Sequence, residues 1–231
     1  MNSLQEAQNE ANKCLNCKVP MCQKGCPIST HIPQFIEQIK NGNLEEAYKI
    51  LQENNIMSNI CSNVCPYEEC CVGNCIKGIK GEPIQVNKLE KYVNNWARKN
   101  NVIYVNERQK SNNIKIAVVG SGPAGIECAV ELSKKGFEVT IFEKEEEIGG
   151  LLTYGIPGFR LPRDITQNLT RRIKGLGINI QTNIEFGKDI TIESLKKNGY
   201  KAIFVAIGAE TASTYPVSYT HLRAHETSQD L

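Results

Sequence analysis

Lys115-Ile116-Ala117-Val118-Val119-Gly120-Ser121-Gly122-Pro123-Ala124-Gly125 decides the fold of the second half of the chain. Its first five residues are an apolar run of strand length. A G-x-G-x-x-G motif follows at once, and helical character then runs from Ala124 to Lys135, ended by Gly136. The motif is weak alone; between a strand and a helix it is specific for a dinucleotide pyrophosphate. Gly120 permits the tight turn, Gly122 lets backbone approach the phosphates, and Gly125 lets helix pack on strand. The helix N-terminus then turns its partial positive charge toward the phosphates. Gly120, Ser121, Gly122, Pro123, Ala124 and Gly125 are therefore candidate cofactor-binding residues.

The next apolar run, Glu138-Val139-Thr140-Ile141-Phe142, completes a βαβ unit and predicts a parallel sheet. Glu143 ends that strand, where an acid can accept hydrogen bonds from ribose hydroxyls. The plainer alternative is one more charge in the acidic loop Glu143 to Glu147. Further on, Ile165 to Gly175 reads as a helix and Ile178-Asn179-Ile180 begins a short strand. Lys201 to Ala206 reads as a buried strand ending at Gly208. The motif by itself does not separate FAD from NAD.

Upstream, the chain changes character. Nine of its ten cysteines lie between Cys14 and Cys75. The first group reads Cys14-x2-Cys17-x4-Cys22-x3-Cys26-Pro27. The second reads Cys61-x3-Cys65-Pro66-x3-Cys70-Cys71-x3-Cys75. A reducing compartment makes metal ligation the first reading of such density, ahead of a secreted disulfide scaffold. Tight spacing lets one loop bring several thiolates to one inorganic core at small loop-closure cost. The competing reading is zinc held by four thiolates. It is weaker because Cys65, Cys71 and Cys75 lack a second Cys-x2-Cys. Around the cysteines lie three amphipathic stretches. Ile32, Phe35, Ile36 and Ile39 recur at helical spacing, with Asn41-Gly42 as the stop. Asn43 with Glu46 predicts a capping box for a second helix. A third stretch, Val86 to Lys99, puts Leu89, Tyr92, Val93 and Trp96 on one face. So small a helical domain has a thin core, and bound metal is expected to help hold it.

Read in order, several segments resemble one family. They are Cys14-Leu15-Asn16-Cys17, Gly25-Cys26-Pro27, Ile32-Pro33, Val64-Cys65-Pro66 and Gly81-Glu82-Pro83-Ile84. They are similar to the cluster domain shared by three groups: the glutamate synthase small subunit, the flavin subunit of the reduced-ferredoxin:NADP oxidoreductase, and the amino-terminal half of dihydropyrimidine dehydrogenase. The resemblance runs from about residue 5 to about residue 215. It implies an α-helical iron–sulfur domain over residues 1–110, followed by the amino-terminal part of an α/β Rossmann-like FAD-binding domain over 111–215. It implies two 4Fe–4S clusters. One falls to Cys14, Cys17, Cys22 and Cys75; the other to Cys26, Cys65 and Cys71 with a non-cysteine ligand at Glu90. Spacing alone does not select Glu90, whose plainer reading is an exposed helix charge. Cys61 and Cys70 are left over, Cys128 reads as a small core residue, and His31 as an exposed turn residue.

The run Ile148 to Pro162 resembles the family's flavin-proximal segment, which implies Gly150, Leu151 and Arg160 as further FAD-binding residues. Ala206-Ile207-Gly208-Ala209 resembles its Ala-Thr-Gly-Ala turn, with Gly208 near the flavin. Isoleucine at 207 removes any hydrogen bond that the threonine hydroxyl makes there. Residues 216–231 resemble no part of the family and read as a non-native tail, so the expectation is a piece of a longer parent.

The implied activity is an oxidoreductase that takes electrons from NAD(P)H through FAD and the clusters to a large subunit or domain. It is most like the glutamate synthase small subunit. A ferredoxin:NADP oxidoreductase flavin subunit and a dihydropyrimidine dehydrogenase subunit are the alternatives. A cluster-bearing docking module without flavin chemistry is the competing class. The cofactors carry the redox chemistry, so no catalytic residue is nominated. With 27 basic and 25 acidic side chains, net charge +2, bulk electrostatics gives no case for nucleic acid. No long apolar run or signal peptide appears, so neither a membrane span nor export is expected, and the cytoplasm is the expected location.

Overall fold

The computed structural model describes residues 1–102, 104 and 109–209. The proposed tail over 216–231 lies outside them. The first part is helical: α1 (Leu4–Ala11), α2 (Met21–Lys24), α3 (Ile32–Lys40), α4 (Leu44–Asn54), α5 (Ser58–Val64) and α6 (Val86–Lys99), with a 3-10 turn at Ile76–Ile79. The apolar stripes read from the sequence meet here. Phe35, Ile36 and Ile39 of α3 pack with Leu51 of α4 and with Leu89 and Val93 of α6. Each such side chain contributes about 1.5–3 kcal/mol on burial. The helices thus have a full core of their own, contrary to the thin one expected.

The predicted capping box at α4 does not form. Asn43 makes no cap hydrogen bond, and its amide donates instead to Gln38 Oε1 at 3.2 Å. The turn back from α3 also brings the Asn43 N–H, which Glu46 would take in a capping box, to the Gln38 carbonyl at 2.9 Å, so the box's reciprocal bond is already used.

The second part is a parallel sheet with helices: β1 (Lys115–Val119), α7 (Pro123–Lys134), β2 (Glu138–Phe142), α8 (Leu151–Tyr154), α9 (Arg163–Gly175), β3 (Asn179–Gln181), α10 (Ile192–Lys197) and β4 (Tyr200–Val205). Strand order is β3-β2-β1-β4, with Val119 level with both Phe142 and Val205. The carboxyl ends of β1, β2 and β4 therefore meet at one edge, where such sheets bind ligands. β4 was expected to be buried. Among the described residues it instead lies at the sheet edge, and Phe204 and Val205 are 41% and 50% exposed.

The two parts share one boundary core. Ile56 and Ile60, beside and within α5, pack with Ile126, Leu161, Ile165 and Leu169 of the second part. Arg98 of α6 pairs with Asp164 of α9. α5, which carries Cys61 and leads into Cys65, is thus held by α9 of the second part as well as by α6. Cys128 is half-buried against this core rather than inside it, and His31 is exposed as expected.

Candidate metal centre and dinucleotide site

The cysteines are half-buried free thiols; in the helical part Cys22 lies in α2, Cys61 in α5 and the rest in the loops between helices. Cys14, Cys17, Cys22 and Cys75 line one apolar pocket with Ile32, Pro33, Ile36 and Ile84. Burial first, and then the neighbouring Cys75, Cys14 and Cys17 thiols, push the Cys22 thiol up to about 11; the Gln23 N–H works against them. Ile32, Pro33 and Ile36 of α3 contribute to the pocket's apolar wall, and Lys40 at the end of α3 donates to the Cys14 carbonyl at 3.1 Å.

A second group forms where the start of α5, the loop after it and α6 converge. Burial pushes Cys71 up to about 12, with Glu90, Cys65 and Cys26 adding to the shift. Cys65 is pushed to about 12 by burial and then by Cys70, Cys61 and Cys26. Cys61, left over in the sequence reading, stands in this group too. Burial, with Glu90 as the next cause, pushes it up to about 11, while Asn55 donates to its sulfur at 3.3 Å. Cys26 Sγ lies 3.3 Å from Thr30 Oγ1. Glu90 projects from α6 into the group, not to the surface. Burial raises its carboxyl to about 7, and only a hydrogen bond from Ser58 Oγ at 2.8 Å opposes the shift.

A half-buried carboxyl set among thiols, with no cation beside it among the described residues, fits the donor set of an iron–sulfur centre. Among the described residues no three His, Cys, Asp or Glu side chains converge tightly enough to hold a single ion. A tetrahedral zinc needs its ligands at about 2.0–2.3 Å. The two groups are therefore looser than a preformed zinc site.

Sequence reasoning missed the polar support behind Glu90. Ser58, Asn94 and Gln52 are all buried, and Asn94 sits four residues, about one turn, after Glu90, beside the apolar stripe of α6 rather than within it. Its place off that stripe left no local signal of its burial.

At the sheet edge the glycine loop is shaped as its motif requires. Gly120 has φ +98, and a Cβ there would stand 2.2 Å from the Ala206 carbonyl oxygen. A Cβ on Gly125 would stand 2.1 Å from the Gly120 oxygen, so helix α7 packs on β1 only with glycine there. A Cβ on Gly122 would meet nothing within 4 Å, so that backbone faces open space. Pro123 and Ala124 are exposed at the first turn of α7.

Ser121 is fully buried. Its N–H (2.8 Å) and hydroxyl both donate to Glu143 Oε2, and its oxygen accepts from Gly149 N–H at 3.0 Å. Glu145 N–H donates to Glu143 Oε1 at 3.0 Å. Ser121 is thus a brace inside the protein. Glu143, 5% exposed, already serves the loop as well as any ribose. A carboxylate has about four lone-pair sites, so capacity for ribose hydroxyls remains.

Gly150 caps α8 with its Cα environment against Gly122, and Leu151 is 67% exposed beside it. Gly208 follows β4 next to the loop with φ +74. Arg160 is exposed and reaches the other part, donating to the Val64 carbonyl at 3.4 Å, one residue before Cys65. No helix among the described residues is long and apolar enough to cross a membrane.

Comparison with known proteins agrees with this architecture. Residues 1–102 match the family model described as dihydropyrimidine dehydrogenase domain II, 4Fe–4S cluster. Residues 118–166 match the NAD(P)-binding Rossmann-like domain. The chain is 34% identical to the NADPH glutamate synthase small chain of Azospirillum brasilense, over 90% of this chain and 43% of that protein. It is 31% identical to the corresponding small chain of Escherichia coli, over 88% and 43%. It is 34% identical to the NAD-dependent dihydropyrimidine dehydrogenase subunit PreT of Escherichia coli, over 91% and 51%. The chain thus spans about half or less of the length of these relatives. With a 4Fe–4S domain model matched first and a Rossmann-like nucleotide-binding model after it, the chain is similar, over about nine tenths of its own length, to part of the glutamate synthase small chains and of the PreT subunits of dihydropyrimidine dehydrogenase.

Proposed function

We propose that this chain is the electron-transferring part of an NAD(P)H-dependent FAD and iron–sulfur oxidoreductase, most like a glutamate synthase small subunit. Two sets of thiols in the helical part, followed by a dinucleotide-shaped glycine loop in the second part, carry this reading. Cys14, Cys17, Cys22 and Cys75 hold one 4Fe–4S cluster. Cys26, Cys65 and Cys71 hold the other with Glu90. Cys71 is preferred to Cys70 because it has both Glu90 and Cys26 as neighbours. When bound, FAD accepts a hydride from a nicotinamide and the clusters carry single electrons; both capacities are the cofactors' own.

The chain's residues bind, space and shield. Gly120, Gly122 and Gly125, with Pro123 and Ala124 at the start of α7, offer the pyrophosphate backbone N–H groups and the helix end. Glu143 receives the ribose, Ser121 steadies Glu143, and Gly150, Leu151, Arg160 and Gly208 border the flavin side. Arg160 also ties that side to the segment leading to Cys65, which favours a short path between flavin and second cluster. The domains run over 1–110 and 111–215, the electron acceptor is a large subunit or domain, and the setting is cytoplasmic. The equal similarity to PreT supports a dihydropyrimidine dehydrogenase subunit as the second reading.

Anaerobic reconstitution of the 231-residue chain with iron and sulfide tests the cluster assignment. Two clusters give about eight irons and eight sulfides per chain. Four or fewer, with saturating iron, overturns the two-cluster reading.

A further inference from the structure

Arg172 lies on α9 of the nucleotide-binding part, yet its guanidinium is buried and points across the boundary. Its Nη1 donates to the Ile56 carbonyl at 2.9 Å, in the turn between α4 and α5. Its Nη2 donates to Gln52 Oε1 of α4. Among the described residues it meets no carboxylate, and its Nε has no partner. A buried guanidinium without a counter-ion is costly, so its charge must be answered through dipoles.

Those dipoles form a row. Gln52 Nε2 donates to Asn94 Oδ1 at 3.2 Å. Asn94 Nδ2 donates to Ser58 Oγ at 2.8 Å and to the Glu90 carbonyl at 2.9 Å. Ser58 Oγ donates to Glu90 Oε1 at 2.8 Å. Every donor points the same way, from a cation that can only donate to a carboxylate that, ionised, can only accept. Arg172 takes the oxygen of Gln52, so the Gln52 nitrogen must face Asn94. The Asn94 oxygen is then taken and its nitrogen must face Ser58. Ser58 is left with its proton for Glu90. Aligned bonds in a water-poor interior polarise one another.

We infer that Arg172 is a positioning residue for the second cluster: through Gln52, Asn94 and Ser58 it sets which way the Ser58 proton points, and so holds the Glu90 carboxylate in the orientation it presents to iron. This rests on Glu90 being a cluster ligand. Glu90 Oε1 is occupied by Ser58, while Oε2 takes no hydrogen bond among the described residues. The row also makes the cluster sensitive to how the nucleotide-binding part is seated. Its cation comes from α9, 82 positions after the Glu90 that it orients.

The test is EPR and redox titration of the full chain with both clusters reconstituted anaerobically. Arg172→Met and Ser58→Ala are each expected to shift the signal of one cluster and lower its midpoint potential, because hydrogen bonding at the ligands tunes the potential. The other cluster should not change. In a Glu90→Cys background, where a thiolate binds iron without that orienting bond, the Arg172→Met shift should collapse. An equal shift in both backgrounds overturns the inference, since Arg172 would then act by packing or general charge. If Arg172→Met does not fold, Ser58→Ala decides: unchanged signals from both clusters overturn it as well. The ligand reading has its own control. If Glu90→Ala leaves iron content and both spectra unchanged, it is that reading that fails.

Discussion

Glu143 Oε2 accepts two hydrogen bonds from Ser121, one from its N–H and one from its hydroxyl. The acid at the end of β2 and the second residue of the glycine loop are thereby locked 22 positions apart in sequence. The same hydroxyl accepts from Gly149 N–H, so one buried serine joins three segments of the proposed dinucleotide site.

That knot predicts a stability effect separable from nucleotide chemistry. Ser121→Ala should destabilise the chain by about 1–3 kcal/mol, the cost of leaving buried polar groups unpaired. Glu143→Gln should cost at least as much, because one amide oxygen cannot serve both the Ser121 and Glu145 N–H groups. Urea unfolding without added nucleotide measures both. Unchanged midpoints would show that the loop does not depend on this brace.

The glycines should divide by role. Gly125→Ala puts a methyl 2.1 Å from the Gly120 carbonyl oxygen and forces backbone apart. A loss of about 2 kcal/mol or more in folding stability is expected. Gly122→Ala meets nothing within 4 Å in the protein, so thermal unfolding should stay near normal while FAD affinity falls. Equal FAD affinity in Gly122→Ala and the parent would move the phosphate site elsewhere.

Iron content should follow the two groups. Cys14→Ser and Cys26→Ser are each expected to lose about half the iron, one cluster's share. Cys70→Ser and Cys61→Ser should keep near-normal iron. Cys61 is the sharper test, because the structure sets it beside Cys26 and Glu90. Loss of iron on Cys61→Ser would put it among the ligands.

Glu90 should give the chelator-treated chain a pH-dependent stability. Burial raises its carboxyl from 4.5 to about 7, so the folded chain holds this proton more tightly than the unfolded one. That contribution is fully present below about 4.5 and is lost as pH rises through about 7. Unfolding midpoints between pH 5 and 8 should fall in the parent, and Glu90→Gln should flatten this part of the slope. An unchanged slope in Glu90→Gln would assign it to other groups.

Much of the fold was legible because its signals are local. An apolar pentad, a glycine motif and a second pentad at βαβ spacing predict β1, α7 and β2, and the observed bounds differ by a residue. The stripe of α6 was read to its ends. Local reading failed where a distant partner competed. The Asn43 cap lost to Gln38, and the apolar run of β4 lies, among the described residues, on an exposed edge. An apolar run shows that a strand forms, but its burial depends on what packs beside it.

The sequence by itself determined the nucleotide fold and the crowding of thiols into short loops, since cysteine spacing and a strand–glycine–helix turn act over a few residues. Its resemblance to a family added the division of the cysteines and the place of Glu90. Only the tertiary structure decided that α5 packs into the α/β core, that Ser121 is a brace, and that Arg172 reaches Gln52 and Ile56 from 120 and 116 positions away. Contacts of that span depend on how two separately patterned halves seat their apolar faces together. No periodicity within either half encodes which buried polar groups then meet across the boundary.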